Sequence, residues 1–399
     1  MKMKEFITIK NLGPLRDIQE LELRPLTVLI GESAIGKSTL MKIVSLMRYL
    51  YKMANIRSYL KLSKITSSPF RMRFDSMMND SGLSYMLQND TEIIYKVVCE
   101  HSKNEENTNK LINEEKVYEL VFRNKKLAKL PSIEKEALML SKISFISENR
   151  NIIPTWIEKA SMNAGATLGF YFHETYKDFA KAAENDQVVN LDYVGMKLHI
   201  SHPKGKNVQL KVESIGEHGH DKIDLKNSSS GIQTSAPLAL IVNHFSHEFS
   251  FKDAFNRSVL NYLHEIDRLT KFKAVTEPAD LNKVIYVHVE EPELSLFPNA
   301  QCKLIDEIVR TANNAEEDRK VNLMLATHSP YILNYLNIIL NQTKEDRAHV
   351  GPSNMAVYRL FDGKALPLLA KDENGKDMVD TYDLTEMMNS IYEEYNTLV

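Results

Sequence analysis

The sequence is poor in what would staple a small secreted or metal-bound fold. Its 399 residues include two cysteines, Cys99 and Cys302, far apart and in no metal-ligand spacing. That argues against a zinc site or a disulfide framework and fits a reducing compartment. Charge of one sign is also lacking: 50 Lys plus Arg against 53 Asp plus Glu leaves a net charge of −3. A wholly basic, histone-like binder is excluded, so any nucleic-acid role falls to a local face or a partner. Long apolar runs are missing as well. The longest, residues 236–242, is about a third of a membrane span, and the start, MKMKEFITIK, has neither an apolar core segment nor a cleavage site. The chain therefore reads as soluble and cytoplasmic. What is present, 43% hydrophobic and 26% charged residues, is the balance of an ordinary globular protein.

Length suggests two or three folding units. The first thirty residues alternate as strands around a turn at 11–14 and end in the apolar run LTVLI. A helix is expected over 38–51, irregular chain over 67–90, and an antiparallel strand pair at 92–100 and 116–123. The polar stretch between those strands (HSKNEENTNK) has the composition of a loop. A helical pattern covers 155–184, and a second strand pair is expected at 196–201 and 208–214. Helices then dominate until apolar strands at 284–289 and 321–326, separated by a helix over 299–313. Another helix starts near 331, and a short amphipathic helix closes the chain at 385–398. No heptad pattern is sustained.

Three segments carry chemistry. Gly31 to Thr39 reads GESAIGKST, the pattern G-x-x-x-x-G-K-[ST], between an apolar strand and an amphipathic helix. Gly31, Glu32, Ser33, Ala34 and Gly36 would wrap backbone N–H groups around phosphates at a helix N-terminus. Lys37 would set a charge between β- and γ-phosphates, and Ser38, followed by Thr39, would ligate Mg²⁺. Next, KVIYVHVEEP brings Glu290 and Glu291 to the end of a buried strand, one carboxylate for the Mg²⁺ shell and one to polarise water. Finally, VNLMLATHSP ends a second apolar strand at His328, where an imidazole could meet the γ-phosphate or the attacking water.

In this order, with a fourth segment NSSSGIQ upstream of the acidic strand, these elements resemble the ABC-type ATPase heads of the SMC, RecF and OLD families. The resemblance implies an α/β P-loop NTPase with a mixed sheet, an antiparallel β lobe and a helical insertion, and no long coiled coil. On that pattern residues 1–150 form an N-terminal ATPase lobe, 151–195 a helical insertion and 196–399 a C-terminal ATPase lobe, all parts of one head. It implies that ATP is sandwiched in a homodimer, with Ser230, Gly231 and Gln233 of one subunit facing the phosphate loop of the other. Glu291 is then the general base, Glu290 a metal support, His328 the γ-phosphate sensor. Two departures stand out: Glu290 replaces the usual Asp, and Ile232 replaces the second glycine of the signature. No glutamine is assigned to the Q-loop. The stretch ISFISENRNIIP resembles a segment of OLD-like ATPases, which would bring Glu148 and Arg150 near Mg²⁺ or the dimer seam, and Asn11 and Arg16 of the opening turn could reach the nucleotide.

The chain after residue 330 is too short for the nuclease domain of OLD proteins and has no DxD cluster. The resemblance is therefore to a bare head, as in two-gene anti-phage systems of the Septu and PARIS types, where the ATPase is a switch for a separately encoded effector. The alternative is a RecF-like DNA-binding repair ATPase. For DNA, the candidate basic tracts are Lys52, Arg57, Lys61, Lys64, Arg71 and Arg73, and Lys204, Lys206, Lys211 and Lys222. At the chain's end Met387, Met388, Ile391, Tyr392 and Tyr395 recur at helical spacing; such a stripe could dock a partner, and packing on the head is the expected fate.

Overall fold

The computed structural model describes residues 2–65, 74–104, 111–157, 169–205, 207–216, 222–344 and 347–398. Arg71, Arg73 and Lys206 of the basic tracts, and the side chains of Met387 and Met388, lie outside them.

The three apolar strands found by their composition, at 26–30, 284–289 and 321–326, lie side by side in a six-stranded sheet. β1 (Lys2–Leu12) and β2 (Leu15–Leu23) make the opening hairpin and β3 (Leu26–Ile30) follows, buried at every position. β4 (Leu87–Asn104), β5 (Leu111–Arg123) and β6 (Lys126–Leu127) complete a five-stranded antiparallel sheet with β1 and β2. β7 (Met139–Ile146), β12 (Asn282–Glu290), β13 (Lys320–Thr327), β3 and β14 (Met355–Phe361) run parallel to one another in the central sheet, and β15 (Lys364–Pro367) adds an antiparallel edge. Such strands are covered on both faces, which is why they read as unbroken hydrophobic runs. A smaller antiparallel sheet joins β8 (Gln187–Leu191), β9 (Met196–Ser201), β10 (Gln209–Ser214) and β11 (Ile223–Asp224). The expected architecture, an α/β chain with a mixed sheet and an antiparallel β lobe, is present. Among the described residues the longest helix, α1 (Lys37–Leu62), has 26 residues, so there is no long coiled coil.

The other main helices are α2 (Phe74–Asp80), α3 (Phe170–Ala182), α4 (Ser230–Asn243), α5 (Pro298–Asn313), α6 (Pro330–Asn341) and α7 (Tyr382–Leu398). Several differ from expectation. α1 runs eleven residues past 51 because tertiary packing buries Met53, Ala54, Ile56, Tyr59 and Leu60. The stretch 67–90 is not wholly irregular: Phe74 and Met78, one turn apart and buried, turn α2 inward. β4 runs into the polar stretch as far as Asn104, and β5 resumes at Leu111. The end of α7 does not pack on the head; Ile391, Tyr392, Tyr395 and Leu398 are all exposed.

Register fixes the sheet's working edge. Thr327 lies beside Ile30, Glu290 beside Ala326, and Val289 beside Ile146. Since these strands are parallel, the segments after β3, β7, β12 and β13 all emerge at the same carboxyl edge.

A buried polar cluster ties this sheet to the antiparallel lobe. Arg48 of α1, 2% exposed, donates to Glu5 of β1 at 2.9 Å and to Nε2 of His288 on β12 at 3.1 Å, with its guanidinium 4.1 Å from the Tyr286 ring centroid. Tyr95 of β4 donates to the same Glu5 carboxylate at 2.6 Å. The partner of His288 Nδ1 is the Ser144 carbonyl at 3.0 Å, which can only accept. Nδ1 therefore carries the proton and Nε2 takes the one from Arg48. Burial and the Arg48 charge lower the His288 pKa to about 3, so the imidazole is neutral in the folded chain.

The unfolded chain takes up that proton near pH 6.5 while the folded chain resists it until about pH 3. Stability is thus full above pH 6.5 and falls on acidification, with a slope from this group of about 1.4 kcal/mol per pH unit. Denaturant titrations of the parent and of His288→Gln at pH 7, 6 and 5 should diverge by that slope; parallel profiles would contradict it.

Candidate functional site

β3 ends in the phosphate loop, which α1 continues without a break. Gly36 has φ 107°, and a Cβ there would stand 2.7 Å from Leu15 and 2.9 Å from Pro14. Only glycine lets the loop close against the opening hairpin. Lys37, 6% exposed, folds its ammonium back onto the Gly31 and Glu32 carbonyls, 2.7 Å each, and stands 3.4 Å from His328 Nδ1. Burial lowers its pKa to about 8, against the raising pull of Glu291 and Glu293.

A cleft of about 420 Å³ lies in front of this loop. Ser33, Ala34, Gly36, Lys37, Ser38 and Thr39 line one side; Glu290, Glu291 and His328 line the other, with Pro14 and Met86 at the margin. Three segments far apart in sequence thus meet at one concavity. Glu290 is 4% exposed, and the Glu148 carboxyl and the Ser38 hydroxyl lie close enough to act on its charge. Burial, then the Glu148 carboxyl, raise the Glu290 pKa. Against burial, which alone would raise it, the Glu290 carboxyl holds Glu148 below the usual carboxylate range. Burial and the neighbouring Glu148 carboxyl thus favour the protonated form of Glu290.

Glu291 sits just past the strand with φ 44°, a left-handed conformation rare for a residue with a side chain. Its N–H donates to the Ala326 carbonyl at 2.8 Å, and its carboxylate lies 3.7 Å from His328 Nε2. The His328 N–H in turn donates to the Glu293 carboxylate at 2.6 Å. Ser329 caps α6 through the Ile332 N–H and donates to Gln301 at 2.5 Å.

Arg150 is the residue whose role sequence reasoning missed. It is fully buried and donates to four backbone carbonyls: Ser147 at 3.1 Å, Thr234 at 2.9 Å, Glu290 at 2.7 Å and Glu291 at 2.6 Å. Burial lowers its pKa to about 10, so it stays charged. One guanidinium thereby fastens the segment after β7, helix α4 and the acidic strand end.

Ser230, Gly231 and Gln233 do not line the cleft. Ser230 is exposed at the start of α4. A Cβ on Gly231 would lie 2.6 Å from the Ser295 carbonyl, so α4 rests directly on the segment after Glu291. Thr234 adds a bond to the Leu294 carbonyl at 2.9 Å. The Gln233 amide donates to the Lys226 and Ser228 carbonyls and closes the serine turn on itself. The opening-turn residues are engaged elsewhere: Asn11 donates to Asp90 at 2.6 Å, and Arg16 pairs with Asp362 at 3.2 Å.

The sequence matches no known protein-family model and no curated protein. Among solved structures, the chain is similar to an SMC head domain from Thermotoga maritima, at 11% identity and a TM-score of 0.35, over 93% of this chain and 100% of that one. It is also similar to the recombination mediator protein RecF of the RecFOR pathway, at 14% identity and a TM-score of 0.34, over 92% of this chain and 98% of that one.

Replacing Arg150 with Met strips four carbonyls of their donor. We expect Arg150→Met to lower unfolding free energy by about 3–5 kcal/mol. Urea denaturation reads this directly, and a loss below 1 kcal/mol would show that the carbonyls find other donors.

Proposed function

We propose that this chain binds and hydrolyses ATP as an ABC-type head of the SMC/RecF/OLD-like group. The observation that carries the reading is the meeting of Lys37, Ser38, Glu290, Glu291 and His328 in one cleft at the N-terminus of α1. Lys37 and the loop N–H groups bind the phosphates. Glu291, at the rim and beside His328, takes a proton from the attacking water at its carboxylate, and His328 orients that water or the γ-phosphate.

The donor set fits Mg²⁺. Ser38, Glu290 and Glu148 supply hard oxygens, and a buried carboxyl beside a second, exposed one is an arrangement that a divalent cation relieves. Among the described residues no group of three His, Cys, Asp or Glu could hold a metal, so the remaining ligands would be phosphate oxygens and water. When bound, the ion neutralises phosphate charge.

The exposure of Ser230 at the start of α4 supports a homodimer in which this helix start, Ser230 foremost with Gly231 behind it, faces the partner's nucleotide. In our reading this dimer is a switch for a separately encoded effector, a nuclease, of the anti-phage kind. The exposed stripe Ile391, Tyr392, Tyr395 and Leu398 on α7 favours a protein partner. The second reading, a RecF-like DNA-binding ATPase, is favoured by the exposure of Lys61, Lys64, Lys204 and Lys222. Among the described residues no helix is long and apolar enough to cross a membrane. A duplex titration against salt separates the two readings, since phosphate contacts give a steep negative slope of log K against log salt.

Glu291→Gln should keep ATP binding and lower turnover by about 10²–10⁴-fold, and should accumulate as a dimer with Mg-ATP in light scattering. Ser230→Arg should abolish hydrolysis and that dimer while leaving ATP affinity nearly intact. Equal loss of binding and turnover in the Ser230 variant would sink the sandwich, and unchanged turnover in Glu291→Gln would remove it as the base.

A further inference from the structure

Beyond the loop, α1 carries a second polar stripe. Ser45, Tyr49 and Lys52 stand at i, i+4 and i+7, one face of the helix, and all three line a hollow of about 500 Å³ roofed by α2 and α3. A helix face turned toward neighbouring helices is normally apolar. Here it presents a hydroxyl, a phenol and an ammonium. Neither Ser45 nor Lys52 has a hydrogen-bond or ion-pair partner among the described residues, although Ser45 is buried and Lys52 half-buried.

The charged neighbours are committed elsewhere. Asp178 of α3 takes Lys142 at 2.7 Å and Ser144 at 2.6 Å. Glu174 pairs with Lys177 at 3.0 Å, and Asp80 of α2 accepts from Ser76 at 3.4 Å. Lys142 of β7 also lines the hollow and adds a second positive charge beside Lys52. Burial and Lys142 lower the Lys52 pKa to about 8, against the pull of Asp178 and Glu174. An ammonium held there with no direct hydrogen-bond or ion-pair partner, Asp178 and Glu174 acting on it only from a distance, is informative when it faces a cavity of ligand size. Lys52 and Lys142 also wall an adjoining hollow of about 390 Å³, whose far side carries Lys181 and Arg257.

Aromatic rings complete the lining. Tyr171 is buried, with its ring 4.1 Å from Phe145 between centroids, while Tyr49 and Phe170 are 36% and 45% exposed. Flat faces at a rim and an unpaired ammonium inside suit a ligand with a planar ring at one end and a phosphate at the other.

We propose that the hollow between α1, α2 and α3 is a second ligand site, separate from the phosphate-loop cleft, that takes a nucleoside monophosphate with its phosphate on Lys52 and its base against Tyr49 and Phe170. The site shares α1 with the phosphate loop and β7 with the segment bearing Glu148, so its occupancy bears on both. Lys42, one turn before Ser45, lies over the Tyr171 ring at 5.3 Å and forms the link along the helix.

Calorimetry with AMP on the full chain carrying Lys37→Ala tests this with the phosphate loop disabled. AMP should bind, with at least a tenfold loss of affinity in Lys37→Ala/Lys52→Met and a smaller loss with Tyr49→Ala, an exposed rim change that leaves the core intact. Lys52→Met should melt no lower than its parent, since it removes a desolvated charge and keeps the stem. No AMP binding up to millimolar concentration, or undiminished affinity in both variants, overturns the proposal. Equal affinity for inorganic phosphate and AMP overturns the nucleotide assignment. Because the phosphate loop is disabled throughout, none of these outcomes bears on ATP hydrolysis.

Discussion

The Arg150 guanidinium is the constraint on which the working edge depends. A parallel sheet delivers its loops to one edge but does not fix their backbones against one another. Here a single planar fork takes carbonyls from Ser147, Thr234, Glu290 and Glu291, so three segments share one donor group. Each bond goes to a backbone oxygen, so what is fixed is main chain rather than side-chain contact. The geometry is one that a lysine, with a single nitrogen, cannot reproduce. Burial makes the arrangement all-or-none, because any carbonyl released has no water to turn to.

A second buried arginine performs the matching task on the other side of the sheet. Arg48 lies in the same helix that begins at Lys37, and its bonds reach β1 through Glu5 and β12 through His288. The phosphate-loop helix is therefore held by the antiparallel lobe and by the acidic strand together. Both clusters are polar groups in a hydrophobic interior, each with its donors matched to acceptors. Such sets fix one arrangement among many compact ones, which is their use beside an apolar core that stabilises but discriminates poorly.

What was legible in the sequence is what is local. GESAIGKST declares a loop because its glycines, lysine and serine act within nine consecutive residues, and EEP declares a strand end because the apolar run stops there. Arg150 was not legible as a clamp, since its acceptors lie up to 141 positions away and are backbone atoms with no residue signature. Lys52 was misjudged for a related reason: in a run with Arg57, Lys61 and Lys64 it counts as surface charge, and only the placement of α2 and α3 turns it inward. β14, MAVYRLF, is apolar but for Arg359 and carries no motif of its own, and its place beside β3 is a tertiary fact. Glu148 was legible only through the resemblance of ISFISENRNIIP; its place beside Glu290 is a tertiary fact.

The segment from Glu291 to Leu296 joins these constraints into a mechanism. On one side its first residue stands beside His328 in the cleft; on the other its Ser295 carbonyl touches Gly231 with no room for even a Cβ. Thr234 bonds Leu294, and Arg150 bonds both Thr234 and Glu291. The start of α4 therefore cannot shift without carrying this segment. Glu291 is its most responsive point, because its left-handed backbone is held in an unfavoured region by its neighbours. A contact made at the exposed Ser230 would reach the carboxylate through packed main chain alone, and a site completed from outside would need no larger motion to be switched.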